Sequence, residues 1–286
     1  MLQTEEFGDE NGTLMLGRLA NVVLAKCGLE LRRRADFDGG RASHSGILEN
    51  ARRSNLNPNS VIDVGAAWGG FTRIAAQIFP GKDYLMIEPL EEYADSLQAL
   101  VDERCGRMSW VRAVAADETG TATFNVHDDL VGSSLLRETE GVATDGRPQT
   151  VSMIRLDDEI RSRELRAPYL LKVDVQGSEL AVLDGAGHVL ADTELLILEV
   201  SFFDFFDGGC SVVEVISYMA DRGFVPYDVT TPLYRPLDGA LAQIDVCFTP
   251  KSGVLRRHHV YATPEQRRSQ TRAMRASFEK RAMGRQ

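Results

Sequence analysis

The chain has 286 residues, enough for one large α/β domain or two small ones. Its hydrophobic fraction of 43% and charged fraction of 26% are typical of a globular protein, and its net charge of −10 argues against nucleic-acid binding. The four cysteines are scattered without metal-ligand spacing, so we expect reduced thiols. The acidic N-terminus does not resemble a signal peptide, and no apolar run approaches membrane-spanning length. We therefore predict a cytoplasmic protein.

Residues 1–57 are predicted to form a helical extension. Residues 13–34 carry apolar side chains at helical spacing and end in three arginines, a pattern that favours an amphipathic helix packed against the main domain. Residues 47–60 predict a further helix that ends at an Asn-Pro turn.

Residues 58–250 alternate short apolar strands with amphipathic helices, which predicts one α/β domain. Its sheet should be mostly parallel and covered by helices on both faces. The predicted strands are VIDVG, DYLMIEP, SWVRAVAA, TVSMIRLDD, YLLKVDV, ELLILEV, FVPYDV and AQIDVCF, with a hairpin-like GTATFNVHDD between the third and fourth.

Residues 251–286 form a basic tail, in which ten basic residues accompany only two acidic ones. One interpretation is a solvated and partly helical tail. The other is a contact with an anionic membrane surface or an acidic partner.

The stretch SVIDVGAAWGGF, residues 60–71, reads as a strand, a glycine-rich turn and a helix start. Its spacing, Asp63-x-Gly65-x-x-x-Gly69, lacks the G-x-G-x-x-G of dinucleotide sites and resembles motif I of class I methyltransferases, which bind S-adenosylmethionine. Glu88 ends the next strand, where its carboxylate can accept hydrogen bonds from two ribose hydroxyls. An NAD site would use an acidic residue similarly, so Glu88 alone does not discriminate.

The block LLKVDVQGSELAVLDGA places Lys172 and Asp174 two residues apart at the end of a buried strand. They share one face of the strand, and a buried lysine requires a carboxylate partner. Open α/β sheets bind ligands at this edge, so the pair points to function.

The sequence resembles the FkbM-type methyltransferases. The resemblance rests on VIDVGAAWGGFT, MIEP, VAAD, IRLDDEI, LLKVDVQGSELAVLDGA, LLILEVS and IDVCF, which together span residues 58–249. The Ala67-Trp68 pair departs from the pattern. The resemblance implies a Rossmann-like class I sheet with an antiparallel last strand. It also implies an S-adenosylmethionine-dependent O-methyltransferase that acts on a hydroxyl of a sugar, glycan or natural product.

The resemblance also implies roles for individual residues. Asp174 is the leading candidate for catalysis, with an N-cap as its structural alternative, and Lys172 and Glu199 are expected to assist it. The predicted cofactor-binding residues are Asp63, Gly65, Ala66, Gly69, Phe71, Thr72, Glu88, Ala115, Ala116 and Asp117. The predicted substrate contacts are Glu179, Ser133 and Phe202.

Other interpretations remain open at this point. The strand, the glycine-rich turn and Glu88 are also compatible with an NAD(P)-dependent oxidoreductase. A non-catalytic binding module with the same fold is a further alternative. Asp174, Glu179 and Glu199 could together hold a divalent cation, although we predict no metal. The sequence leaves the oligomeric state open, a homo-oligomer included.

Overall fold

The computed structural model describes residues 40–104, 106–141 and 144–283. The helix predicted over residues 13–34 lies outside them. The first described helix, α1, is His44–Arg53, and the Ser43 hydroxyl caps it by accepting a hydrogen bond from the Gly46 N–H at 3.1 Å. Two ion pairs, Arg41 with Asp228 and His44 with Asp245, hold the start of α1 against the sheet.

Most of the remaining elements follow the predicted order, but the predicted strand TVSMIRLDD ends at Ile154. Its last residues begin the helix Leu156–Ser162, whose first turn carries the acidic side chains that a helix N-terminus favours. The strands are β1 (Ser60–Val64), β2 (Asp83–Ile87), β3 (Met108–Val111), β4 (Val114–Ala115), β5 (Gly120–Val126), β6 (Arg147–Ile154), β7 (Tyr169–Val173), β8 (Thr193–Ser201), β9 (Phe224–Tyr234) and β10 (Leu241–Pro250). The helices are α2 (Gly70–Ile78), α3 (Ala94–Glu103), α4 (Leu156–Ser162), α5 (Glu179–Asp184), α6 (Gly187–Ala191), α7 (Val212–Asp221) and α8 (Pro264–Met283).

Seven strands form the main sheet in the order β3-β2-β1-β7-β8-β10-β9. The pairs from β3 through β8 are parallel, and β10 runs antiparallel to both of its neighbours. This confirms the mostly parallel Rossmann-like sheet with an antiparallel last strand.

Two hydrophobic cores lie on opposite faces of the sheet because successive strand residues point in opposite directions. In β1, Ile62 and Val64 contact the core beneath α4 to α7, whereas Val61 contacts the core beneath α1, α2 and α3. Asp63 lies on the α1 side with Val61, beside Lys172, its partner in the β1–β7 register.

A second, three-stranded sheet with the order β4-β6-β5 departs from the single sheet that the sequence predicts. The predicted strand SWVRAVAA breaks at Arg112 and Ala113, so β3 joins the main sheet and β4 pairs with β6. The small sheet has its own core, in which its strands bury Val114, Phe124, Val126 and Val151 against Leu90 from the segment after β2.

The C-terminal helix α8 is exposed from Pro264 to Glu279, which agrees with a solvated, partly helical tail. Its contact with a membrane or an acidic partner stays a prediction. Within the described residues, no helix combines the length and hydropathy needed to cross a bilayer. Cytoplasmic location also stays a prediction. Cys210 and Cys247, the described cysteines, are free thiols.

Gly65→Ala should destabilise the protein more than Gly81→Ala. Both glycines have φ of +75°, but a Cβ on Gly65 would lie 1.8 Å from the Asp174 carbonyl oxygen, whereas one on Gly81 would meet nothing within 4 Å. Gly81→Ala should cost about 1–2 kcal/mol, the penalty of the left-handed backbone alone. Gly65→Ala should exceed this value in urea unfolding. Equal losses would show that the β1 and β7 turns are not in close contact.

Candidate active site

A cleft opens at the carboxyl ends of β1, β2 and β7, where open α/β sheets hold ligands. It contains about 650 Å³ of empty space, its mouth included, which suits a small-molecule ligand. Its floor comes from the main sheet: Val64, Gly65, Ala67, Ile87, Glu88, Pro89, Asp174, Val175, Gln176 and Ser178. Its opposite wall comes mostly from the small sheet and its connections: Leu90, Tyr93, Ala113, Val114, Ala115, Phe124, Leu130, Val131, Ser133 and Leu135.

The glycine-rich turn after β1 is hydrogen-bonded to the end of β2. The N–H groups of Gly65 and Ala66 both donate to the Ile87 carbonyl, at 2.9 and 3.2 Å. Gly69 then precedes α2 with φ of +82°, where a Cβ would lie 2.3 Å from the Leu100 side chain. Gly65 and Ala67 line the cleft, so the turn presents backbone rather than side chains to a ligand.

Glu88 ends β2 as a buried carboxylate inside the cleft. Its Oε2 accepts a hydrogen bond from the Ala67 N–H at 2.9 Å, and its Oε1 accepts one from the Leu90 N–H at 3.0 Å. Burial raises the pKa of Glu88 to about 7, against the opposing effect of these two bonds. Each oxygen keeps a second lone pair, so the carboxylate can still accept bonds from a diol.

Lys172 is the buried cation of the site. Its Nζ lies 3.0 Å from Asp174 Oδ2 and 4.0 Å from Asp63 Oδ1, and the residue is 5% exposed. Burial alone would lower the pKa of Lys172, but the carboxylates of Asp174, Asp63 and Asp245 raise it above its usual value. The lysine is therefore charged, and it neutralises carboxylates on both β1 and β7.

Asp63 and its neighbours on α2 support the site from behind. Asp63 Oδ2 accepts a hydrogen bond from the Thr72 hydroxyl at 2.6 Å, while Phe71 packs between the His44 ring and Lys172 Nζ. Burial raises the pKa of Asp63. Of the residues predicted to bind the cofactor around the first turn, Gly65 lines the cleft, whereas Asp63, Ala66, Gly69, Phe71 and Thr72 lie outside its lining.

Asp174, in contrast, faces the cleft, and its side chain is 28% exposed. Burial would raise its pKa, but the charge of Lys172 and the hydrogen bonds around it hold the pKa of Asp174 below its usual value. Glu199 lies nearby on β8. Burial and the charges of Asp174, Glu179 and Asp245 raise the pKa of Glu199 well above its ordinary range. At neutral pH Asp174 is therefore ionised, and Glu199 holds its proton more tightly than Asp174 does.

Glu179, predicted to contact substrate, is 3% exposed and serves the loop after β7 instead. Its Oε1 accepts from the N–H groups of Val175 and Gly177, at 3.2 and 3.1 Å. Within the described residues, no group of three or more His, Cys, Asp or Glu side chains is placed to hold a metal ion.

Of the three residues predicted to border the adenine, the structure places only one in the cleft lining. Ala115 lines the cleft, with Ala113 and Val114, but Ala116 and Asp117 lie outside the lining. The Ala116 carbonyl packs against the turn after α5, where a Cβ on Gly185 would be 2.0 Å from it.

Of the other two predicted substrate residues, Ser133 lines the cleft and Phe202 does not. The Ser133 hydroxyl accepts a hydrogen bond from the His127 N–H at 3.0 Å. Phe202 is 45% exposed at the end of β8. The apolar wall made by Tyr93, Phe124 and Leu130 was not predicted, because nothing in a single sequence shows that the small sheet folds over the cleft.

Comparison with known proteins adds a family to this geometry. A family model described as "Methyltransferase FkbM domain" matches residues 63–226, more than half of the chain. The chain belongs to the FkbM methyltransferase family. This confirms the predicted family and, with it, S-adenosylmethionine as the cofactor. It also favours the methyltransferase over the NAD(P)-dependent oxidoreductase.

Solved structures with a similar fold include three methyltransferases. A precorrin-6y C5,15-methyltransferase from Geobacter metallireducens shares 9% identity, with coverage of 72% of this chain and 86% of that one and a TM-score of 0.39. An rRNA methylase from Streptococcus thermophilus shares 13%, with 78% and 99% coverage and a TM-score of 0.41.

The third is the 1,6-didemethyltoxoflavin-N1-methyltransferase of Burkholderia thailandensis, solved with S-adenosylhomocysteine. It shares 13% identity, with 87% and 93% coverage and a TM-score of 0.37. A comparison with curated proteins finds no match.

Glu88→Gln should flatten the pH dependence of stability in this FkbM-family protein. The pKa of Glu88 is about 7 when folded and about 4.5 when unfolded, so the wild type loses stability as the pH rises between these values. A glutamine side chain does not titrate in this pH range. Across this window the variant should therefore gain about 3 kcal/mol relative to wild type in urea unfolding. Exposed Glu92→Gln is the control, and parallel curves for Glu88→Gln and wild type would contradict the raised pKa.

Proposed function

We propose that the protein is an S-adenosylmethionine-dependent O-methyltransferase whose acceptor is a hydroxyl group of a sugar, glycan or natural product. The observation that carries the proposal is the cleft itself, with Glu88 at the β2 end and ionised Asp174 at the β7 end. Family membership supports methyl transfer, and the site supports a hydroxyl acceptor, because a hydroxyl must lose a proton and a carboxylate can take it.

The cleft lining fits this cofactor better than a dinucleotide. Its charged side chains are the carboxylates of Glu88 and Asp174, and no lysine or arginine is among the described residues that form it. A pyrophosphate would find no basic partner there, whereas a cationic sulfonium compound suits an acidic lining. Glu88 would accept the ribose hydroxyls, and the apolar side chains of the small sheet would cover the adenine.

When bound, the cofactor supplies an activated methyl group, to which the acceptor oxygen bonds as the carbon–sulfur bond breaks. The protein's main contribution is to place that oxygen in line. Asp174 would accept the hydroxyl proton. Lys172 holds the Asp174 carboxylate in position and keeps it ionised. The apolar wall formed by Phe124, Leu130 and Leu135 would exclude water from this step.

Glu88→Ala should weaken the binding of S-adenosylhomocysteine by about 1.5–3 kcal/mol, the range for hydrogen bonds to a charged group. Isothermal titration calorimetry measures it, with exposed Glu92→Ala as the matched control and NADH as the parallel ligand. We expect no NADH binding. Unchanged affinity in Glu88→Ala would refute the ribose role, and binding of NADH alone would overturn the cofactor site.

Asp174→Asn should lower turnover by roughly 10²–10⁴-fold, the usual contribution of a general base, while S-adenosylhomocysteine binding is kept. Mass spectrometry of methylated products across a panel of sugar and macrolide acceptors measures it. Exposed Asp207→Asn is the control. Wild-type turnover in Asp174→Asn would remove Asp174 from the mechanism. A wild type that binds cofactor but yields no product would favour the non-catalytic binding module.

A further inference from the structure

Gln176 has an uncommon backbone conformation for its residue type. It follows β7 with φ of +57°, in the left-handed region that glycine adopts readily and other residues rarely do. Gly177 follows with φ of +100°. Such a conformation costs free energy and persists only where the surrounding structure enforces it, which is often at functional sites.

The surroundings of Gln176 do enforce it. The Ser134 hydroxyl donates to the Gln176 carbonyl at 2.7 Å. On either side of Gln176, the N–H groups of Val175 and Gly177 donate to the same oxygen of buried Glu179. The loop is therefore held from the β5–β6 connection and from α5 together, and Gln176 is one of the residues that line the cleft.

The Gln176 amide joins two carboxyl groups. Its Nε2 donates to Asp174 Oδ1 at 3.0 Å and to Glu199 Oε2 at 2.7 Å, which uses both of its hydrogens. Gln243 on β10 supports the same arrangement. Its Nε2 donates to Glu199 Oε2 at 2.9 Å and lies 3.3 Å from Gln176 Oε1.

This bridge lies where acidic groups are crowded. Around Glu199 lie Asp174 on β7, Glu179 on α5 and Asp245 on β10, with Lys172 as the buried cation and His44 of α1 paired to Asp245. Two neighbouring carboxyl groups in such surroundings compete for one proton. The amide donates to one oxygen of each carboxyl group, so it fixes their relative position, and its bond to Asp174 favours the ionised form of that group.

We propose that Gln176 is a positioning residue for methyl transfer: its amide fixes the Asp174 and Glu199 carboxyl groups relative to each other and keeps Asp174 the one free to accept the acceptor's proton. This inference rests on the proposed function. It assigns a role to the strained residue that neither the cofactor turn nor the Lys172 ion pair explains.

The test is carboxyl-carbon NMR titration of the full chain labelled at aspartate and glutamate, with the two signals assigned through Asp174→Asn and Glu199→Gln. In the wild type we expect the pKa of Asp174 below its usual range and that of Glu199 above it. Gln176→Gly relieves the backbone strain and removes the amide. Loss of the amide donor should raise the proton affinity of Asp174 at least tenfold.

Two further variants keep this test decisive. Gln176→Asn tolerates the left-handed backbone but is one methylene shorter, so it should show the same effect if the glycine variant does not fold. Glu164→Gly is the matched control, because Glu164 is an exposed residue with φ of +54° in a remote turn. It should leave both titrations unchanged. Unchanged titrations in the folded Gln176 variants would overturn the proposal.

Calorimetry on the same samples separates this inference from the proposed function. The wild type should bind S-adenosylhomocysteine, whereas the carboxyl titrations need no bound cofactor. A wild type that does not bind it would refute the cofactor site and leave the carboxyl titrations to decide the role of Gln176. With an acceptor that the wild type methylates, the acid limb of the turnover profile should move to higher pH in Gln176→Gly. An unmoved limb would count against the proposal.

Discussion

The carboxyl edge of this sheet depends on the buried ammonium of Lys172. It pairs in register with Asp63 on β1 and contacts Asp174 at the end of its own strand. A cation in this position offsets two carboxylates that burial would otherwise protonate. The ionised state of Asp174, and with it the chemistry that the cleft can support, depends first on this charge and then on the hydrogen bonds around the carboxylate.

The same edge shows how tightly the two halves of the cleft are joined. The turn that contains Gly65 lies directly against the Asp174 carbonyl, so the segment facing the cofactor and the segment facing the acceptor share a backbone contact. Glu179 adds to this rigidity by binding the loop after β7. A site that must align two reactants gains from such short, fixed connections.

The main sheet could be predicted because its strands are buried on both faces and read as continuous apolar runs. Glu88 and Asp174 could be placed because each ends such a run. It was harder to predict the roles of Asp63, Thr72 and Glu179, because a polar residue beside a glycine turn can either face a ligand or form hydrogen bonds that support the turn. Which of these it does depends on partners distant in sequence.

The small sheet and the Gln176 bridge could not be predicted for a related reason. Strand β4 is two residues long, and nothing local shows that it leaves the main sheet after Arg112. The contacts of Gln176 join β7, β8 and β10, so they exist only once the sheet order is known.

The division of the cleft between two sheets has a consequence for how its specificity can change. The charged groups stand on the main sheet, and the apolar wall stands on the small sheet with a core of its own. Substitutions at Leu130, Val131 or Leu135 can therefore reshape the cavity without disturbing the ion pairs beneath it. Evolution, or a directed library confined to Leu130, Val131 and Leu135, could exchange one ligand shape for another while the proton-transfer groups stay in place.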